Sequence, residues 1–210
     1  MAQPQLGVLF SGGGRSLENL GAVIREGKLE AEIAAAISSH PQAAGVERAR
    51  RLGIPTEVVD WRVARDRFSE LVAERLDAAR VDLVVMAGLI RHWTIPERYR
   101  GRVLNIHPAL LPAFGGKGFW GEHVHAAVLR AGAKFSGCTV HFVDDLYDHG
   151  PIVLQRVVPV RDDDTPESLA SRVFAAECVA YPEAIRLVLE GRVEVRDGRA
   201  RIKAAEEATL

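Results

Sequence analysis

The chain has 210 residues, and 27 Lys and Arg face 28 Asp and Glu, so the formal net charge is −1 at pH 7. Hydrophobic residues make up 48% of the chain, which excludes a largely disordered protein and predicts a single globular domain. The balanced charge argues against a nucleic-acid partner. With only two cysteines, a disulfide framework is excluded and a reducing cytoplasm is expected. Neither a signal peptide nor a membrane span is predicted.

Short apolar runs alternate with amphipathic stretches in the first half of the chain, which predicts a doubly wound α/β fold. The pattern predicts strands at residues 6–10, 31–37, 56–59, 82–86 and 102–106, and helices around residues 17–24, 45–52 and 68–76. The last two strands are apolar throughout, which indicates a parallel sheet covered on both faces. Ligands of such sheets bind at the carboxyl ends of the strands.

The second half of the chain has a different pattern. Residues 123–129 predict a helix, and residues 138–143 and 152–160 predict two strands joined by a turn-rich segment, hence an antiparallel pair. Thr165 is expected to cap a long helix that runs toward Glu190. Within that helix Pro182 should produce a kink or a break, and the tail from Lys203 should fray.

The segment Ser11–Ser16 places three consecutive glycines between a predicted strand and a predicted helix. Glycines allow the backbone to approach an anion, and the following helix N-terminus directs N–H groups at it, with Arg15 and Ser16 as further donors. The alternative is a tight turn that needs glycine only for its geometry. The dinucleotide-binding pattern fails because Leu17 occupies its third glycine position, so a single phosphate is the expected ligand.

Asn105 and His107 are two residues apart at the end of a predicted buried strand, so both side chains should leave the same face of the sheet. An amide donor beside an imidazole can stabilise an oxyanion and move a proton. The alternative is that each side chain only caps a loop.

Other polar clusters carry weaker predictions. Asp144, Asp145 and Asp148 lie in one tight turn, where one buried carboxylate could orient His107; turn formation is the simpler explanation for the first two. A metal site at Glu122, His123 and His125 is not expected, because the two histidines point to different sides of a helix.

Five stretches resemble the folate-dependent formyltransferase family: VLFSGGGRSL, VVMAGLIRHW, LNIHPALLPAF, GCTVHFVDDLYDHGPIVLQ and AAECVAYPEAI. The resemblance extends to about Arg196 and implies a Rossmann-like domain. It also implies direct transfer of a formyl group from 10-formyltetrahydrofolate, the cosubstrate, to the amine of glycinamide ribonucleotide, with no metal. The glycine loop and the chain length favour the branch of the family that acts on a nucleotide.

The resemblance implies site residues by their match to the family motifs. Asn105, His107 and Asp148 would be catalytic. The nucleotide would be bound by Gly13, Gly14, Arg15, Ser16 and Glu177, and the folate by Leu89, Ile90, Arg91, His92, Trp93, Val143, Asp144, Asp145, Leu146 and Tyr147. The family loop commonly reads Ser-Asn where this chain has Arg15 and Ser16, and the loop 115–121 with Lys117 is longer than in the shortest members.

These features predict a mostly parallel sheet with an antiparallel C-terminal pair. Residues 1–196 are expected to form a single formyltransferase domain, and residues 197–210 a C-terminal strand remnant with a frayed tail. The expected partners are the two small-molecule substrates, without nucleic acid or membrane; a homodimer is left open. Two alternatives stay open as well, a formyltetrahydrofolate hydrolase and a non-catalytic module that binds a nucleotide or phosphate.

Overall fold

The computed structural model describes residues 2–204. Its strands are β1 Gln5–Phe10, β2 Glu32–Ser38, β3 Thr56–Val58, β4 Leu83–Met86, β5 Val103–His107, β6 Phe135–Phe142, β7 Ile152–Pro159, β8 Val193–Arg196 and β9 Arg199–Ile202. Its helices are α1 Arg15–Arg25, α2 Ala44–Arg51, α3 Trp61–Ala64, α4 Phe68–Ala78, α5 Glu122–Arg130 and α6 Pro166–Leu189. Each strand and helix predicted above is present, with small shifts at the ends.

Seven strands form one sheet in the order β3-β2-β1-β4-β5-β6-β7. The pairs among the first five strands are parallel, whereas β6 runs antiparallel to both β5 and β7. This confirms the mostly parallel, doubly wound fold and the antiparallel pair. The parallel strands β1, β4 and β5 end at one edge of the sheet, so the loops that follow them meet there.

Apolar side chains cover both faces of the sheet. One face packs against α1, α2, α5 and α6 through residues such as Leu17, Val46, Val128 and Ile185, all of them buried. The other face packs mainly against α4 through Phe68, Val72 and Leu76, which belong to a second hydrophobic core. Neighbouring residues of β1 divide between the two cores, as the alternation of side chains along a strand requires.

Helix α6 begins where the sequence predicts, because the Thr165 side chain accepts a hydrogen bond from the Ser168 amide in a capping box. Of the two outcomes expected of Pro182, the break is wrong, since α6 continues through it to Leu189, and the kink stays a prediction. Pro182 lies in a buried stretch, and the neighbouring Tyr181 hydroxyl donates to the carbonyls of Met86 and Leu104. These tertiary contacts outweigh the lost backbone hydrogen bond.

Beyond α6, strands β8 and β9 form a separate antiparallel hairpin. The strand expected after residue 197 is β9, and its partner β8 ends at Arg196, on the other side of the expected domain boundary. The boundary itself stays a prediction. Of the tail expected to fray, Lys203 and Ala204 lie outside any strand or helix, and residues 205–210 fall outside the described part. Within residues 2–204, none of the helices is long and apolar enough to cross a membrane.

Candidate active site

Four polar side chains meet at the end of β5, in the antiparallel pairing with β6. The register sets Asn105 opposite His141 and His107 opposite Thr139. Asp148, from the turn after β6, reaches the same place: its Oδ2 lies 3.4 Å from His107 Nδ1, and its Oδ1 lies 3.4 Å from Asn105 Nδ2. The three side chains implied as catalytic are thus brought together, which the sequence spacing of Asn105 and His107 alone could not establish.

Asp148 is held in place by its turn. Its side chain is only 12% exposed, and its Oδ2 also accepts a hydrogen bond from the Gly116 amide at 3.0 Å. The residue has a φ of 53°, a left-handed conformation that is uncommon for a non-glycine residue. Gly150 closes the turn so tightly that a Cβ there would collide with the Phe142 carbonyl oxygen. The turn therefore aims the carboxylate at the end of β5.

His107 faces an acceptor at each ring nitrogen. Its Nε2 lies 2.8 Å from the Phe114 carbonyl oxygen, and its Nδ1 faces Asp148. A carbonyl only accepts, so Nε2 carries a proton. Both contacts are satisfied together when the ring is an imidazolium, which pairs it with the Asp148 carboxylate. The arrangement suits a group that stabilises negative charge and exchanges a proton.

His141 is a member of this cluster that the sequence reasoning missed. It is 1% exposed, its Nδ1 lies 2.8 Å from the Phe142 carbonyl oxygen, and its Nε2 lies 3.1 Å from Asn105 Nδ2. Burial lowers the pKa of His141 below its usual value, and the charge of Asp148 opposes that shift. The available signal was a histidine inside a predicted buried strand, but its meaning depends on the register with β5.

The loop after β5 is fixed by a second, buried network. The Thr139 hydroxyl donates to the Ala109 carbonyl at 2.7 Å and accepts from the Leu111 amide at 3.0 Å. Gln155 on β7 donates to both the Leu111 carbonyl and the Thr139 hydroxyl. This loop leads to Phe114 and Gly116, so the network stabilises the backbone groups that contact His107 and Asp148.

The glycine loop lies between β1 and α1, as predicted. Gly14 is buried at a φ of 70°, and a Cβ there would come within 2.7 Å of the Gly45 Cα. A Cβ added at Gly13 would meet nothing within 4 Å, and the Gly13 carbonyl accepts a hydrogen bond from Arg48 at 2.8 Å. Gly14 is therefore required for close packing of α1 against α2, while Gly13 borders open space that an anion can occupy.

Helix α6 completes this second region. Ser16, Phe174 and Glu177 line a shared cleft, and the Arg15 guanidinium lies 3.8 Å from the centroid of the Phe174 ring. Burial raises the pKa of Glu177 to about 7, against the opposing charge of Arg15. The structure thus places the five residues implied for nucleotide binding around the N-terminus of α1.

The two segments implied for folate binding also approach each other. The ring of His92 packs edge-on against that of Tyr147 at 5.7 Å, and Ile90 and Leu146 are exposed. Trp93 differs from its neighbours, because it is buried in the second core and its indole N–H donates to the Ser69 carbonyl. The exposed residues of the segment can therefore contact a ligand directly, whereas the buried Trp93 cannot.

The remaining members of these segments are held by contacts within the protein. Arg91 stacks over Trp61 at 4.4 Å. Asp144 accepts hydrogen bonds from the Leu146 amide and from His149, and Asp145 pairs with Arg100. The half-buried Val143 packs against the second core along with Leu89. Local structure thus accounts for Asp144 and Asp145, in agreement with their interpretation as turn residues.

The side chains considered for a metal site differ in burial. His125 is buried, whereas His123 is exposed and packs edge-on against Trp120. In the part of the chain that the structure describes, no group of three or more His, Cys, Asp and Glu side chains is placed to hold a metal ion. Lys117 is exposed in its loop.

A doubly wound sheet that gathers an amide, imidazoles and a carboxylate at its carboxyl edge is typical of an α/β enzyme, and these groups are of the kind used in general acid–base chemistry. The sequence matches the family described as "Formyl transferase" over residues 5–185, and the chain belongs to that family. It is a formyltransferase by that membership.

Solved and curated proteins agree with this assignment. A crystal structure of glycinamide ribonucleotide transformylase 1 from Symbiobacterium toebii is 43% identical, with a TM-score of 0.90, and the match covers 96% of this chain and 95% of that one. The chloroplastic phosphoribosylglycinamide formyltransferase of Vigna unguiculata is 38% identical over 96% of this chain. The trifunctional purine biosynthetic protein adenosine-3 of Gallus gallus is 40% identical over 91% of this chain.

The curated relatives are longer than this chain. The matches span 66% of the Vigna unguiculata protein and 19% of the Gallus gallus protein. The whole activities of those proteins therefore do not transfer directly to this chain.

Proposed function

We propose that this protein transfers the formyl group of 10-formyltetrahydrofolate to the amine of glycinamide ribonucleotide, a step of purine synthesis. The observation that carries the proposal is the cluster at the carboxyl edge of the sheet, in which the Asp148 carboxylate lies 3.4 Å from both Asn105 Nδ2 and His107 Nδ1. The names of the similar proteins support the choice of substrates.

The two substrates would occupy the two regions beside this cluster. Open space beside Gly13 and the N–H groups at the start of α1 suit the phosphate, and we expect Glu177, which lies beside Ser16, to contact the ribose. The exposed side chains of Ile90, Leu146 and Tyr147 offer an apolar surface for the pterin. Hydrogen bonds from Ser11 hold the regions together, because its hydroxyl accepts from the Ile90 amide at 3.0 Å and its amide donates to the Gly88 carbonyl at 3.1 Å.

The chemistry needs no covalent enzyme intermediate. The amine nitrogen attacks the formyl carbon, and the resulting oxyanion is stabilised by the Asn105 amide and the charged His107. As the bond from the formyl carbon to the folate nitrogen breaks, that nitrogen takes up a proton and the amine loses one. The Asp148 carboxylate faces His107 Nδ1 at 3.4 Å, where it complements a positive charge on the ring, and it supports a proton relay through water. The products are the formylated nucleotide and tetrahydrofolate.

Arg15 gives this chain a feature of its own at the phosphate loop. Where the family commonly has a serine, the chain carries a guanidinium that stacks on Phe174. Such a cation can neutralise part of the phosphate charge, and its planar donors suit phosphate oxygens. We expect nucleotide affinity to depend on salt more steeply when Arg15 is present.

An absorbance assay of folate deformylation, with and without glycinamide ribonucleotide, tests the proposal. Turnover that requires the nucleotide is expected. Equal turnover with water alone would assign the protein as a hydrolase, and no turnover in either mixture would favour a binding module. Product identification by mass spectrometry separates transfer to the amine from hydrolysis.

The cytoplasmic location is part of the same proposal. It is supported by Cys138 and Cys178, which are both free thiols, as is usual in a reducing compartment. Fractionation of the source cells, with the protein detected by antibody, tests it; recovery from an oxidising compartment would contradict it.

A further inference from the structure

The orientation of the Asn105 amide follows from a chain of hydrogen bonds that begins at β6. His141 Nδ1 lies 2.8 Å from the Phe142 carbonyl oxygen. A carbonyl oxygen accepts and cannot donate, so this ring nitrogen carries the proton. In a neutral ring the other nitrogen, Nε2, is then an acceptor.

The side chain that faces this acceptor is Asn105. Its Nδ2 lies 3.1 Å from His141 Nε2, at a position that the β5–β6 register sets directly opposite. An amide nitrogen only donates, so one N–H of Asn105 is committed to His141. The reverse orientation would set the Asn105 carbonyl oxygen against a second acceptor, which is unfavourable inside a buried cluster.

The second N–H of Asn105 is held much less firmly. It faces Asp148 Oδ1 at 3.4 Å, which is long beside the usual 2.9–3.0 Å of an N–H···O hydrogen bond. A developing oxyanion can therefore accept a hydrogen bond from this N–H, because little interaction energy with Asp148 is lost. His141 thus determines which end of the amide is presented to the reacting group.

We propose that His141 is a positioning residue for formyl transfer, which as the neutral Nδ1–H tautomer fixes the Asn105 amide with one N–H available to the oxyanion. The inference rests on the proposed function. It is consistent with the pKa of His141, which burial lowers. The nearby His107 adds to this shift, while the hydrogen bond to the Phe142 carbonyl and the charges of Asp148 and Asp144 oppose it. An imidazolium at this position would direct a donor at the Asn105 N–H and disrupt the arrangement.

The tautomer can be measured without any substrate. Long-range ¹H–¹⁵N NMR spectra of protein labelled at histidine distinguish protonated Nδ1, protonated Nε2 and the imidazolium, and the signal lost in His141→Leu assigns the residue. We expect a neutral ring protonated at Nδ1 at pH 7.5. Protonation at Nε2, or a charged ring, would overturn the proposal.

Kinetics test whether His141 acts through Asn105. His141→Leu should lower kcat between about 10-fold and 10²-fold with little change in either KM, a range typical of misplaced catalytic groups. His141→Gln, which retains an acceptor, should recover part of the loss. In an Asn105→Ala background, His141→Leu should change kcat by less than about 2-fold, since the group it orients is gone. An equal loss in both backgrounds would overturn the proposal.

Val158→Ala provides the control for stability. Val158 is a buried residue of β7 that pairs with Ser136, away from the cluster, so its truncation should lower Tm and leave kcat unchanged. If wild-type protein forms no formylated nucleotide, the proposed function fails. The NMR result still decides whether His141 holds the amide, so the two failures are distinguishable.

Discussion

Replacing Asp148 with asparagine removes one charge from the cluster and leaves its size nearly unchanged. The carboxylate lies 3.4 Å from His107 Nδ1, a separation at which opposite charges attract by about 5 kcal/mol if the effective dielectric constant is about 20. The new amide also introduces a conflict. One carboxylate oxygen faces the Gly116 N–H and the other faces the Asn105 N–H, so a donor at either position meets a donor.

We expect Asp148→Asn to lower kcat by about 10³-fold, which corresponds to about 4 kcal/mol of transition-state stabilisation. This is somewhat less than the full electrostatic attraction, because water can partly replace the lost charge. The loss should fall on kcat and leave both KM values similar, since the charged imidazole and the oxyanion coexist only during reaction.

Steady-state formyl transfer is the assay, with thermal melts to establish that the variant is folded. Asp144→Asn is the matched control, because Asp144 lies in the same turn but its hydrogen bonds run to the Leu146 amide and His149. Its kcat should stay within about 3-fold of wild type, because the hydrogen bonds of this half-buried carboxylate run to its own turn and not to His107 or Asn105. A folded Asp148→Asn variant with near-normal kcat, or a larger loss in Asp144→Asn, would refute the reasoning.

Three further changes probe the phosphate loop, α6 and the turn. Gly13→Val should weaken nucleotide binding but not folate binding in calorimetric titrations, because its side chain enters open space beside the loop; loss of folate binding alone would contradict the site assignment. Glu177→Gln should raise Tm at pH 8 and have little effect at pH 5: with a folded pKa of about 7, this carboxyl destabilises the fold when pH rises through that value. An equal change in Tm at both pH values would disprove this. Gly150→Ala should destabilise the fold by about 1–3 kcal/mol and lower kcat, because the added Cβ collides with the Phe142 carbonyl and shifts the turn that carries Asp148; unchanged urea unfolding would argue against it.

Local patterns determine much of this protein. A continuous apolar run defines a buried strand whatever its neighbours, so β4 could be predicted from hydrophobicity alone. Thr165 and Pro166 mark the start of α6 because capping depends on a few adjacent residues. The spacing of Asn105 and His107 sets both on one face of β5 for the same local reason.

What the sequence could not determine depends on residues far apart in the chain. The continuation of α6 through Pro182 rests on packing against the sheet, including the bonds from Tyr181 to β4 and β5, which outweighs a local helix-breaking preference. Only the β5–β6 register sets His141 against Asn105. The burial of Trp93 likewise arises from its packing in the second core. Local chemistry thus fixes which side chains are available, and tertiary contacts decide which of them meet, because the free energy of those contacts is gained only once distant segments pack together.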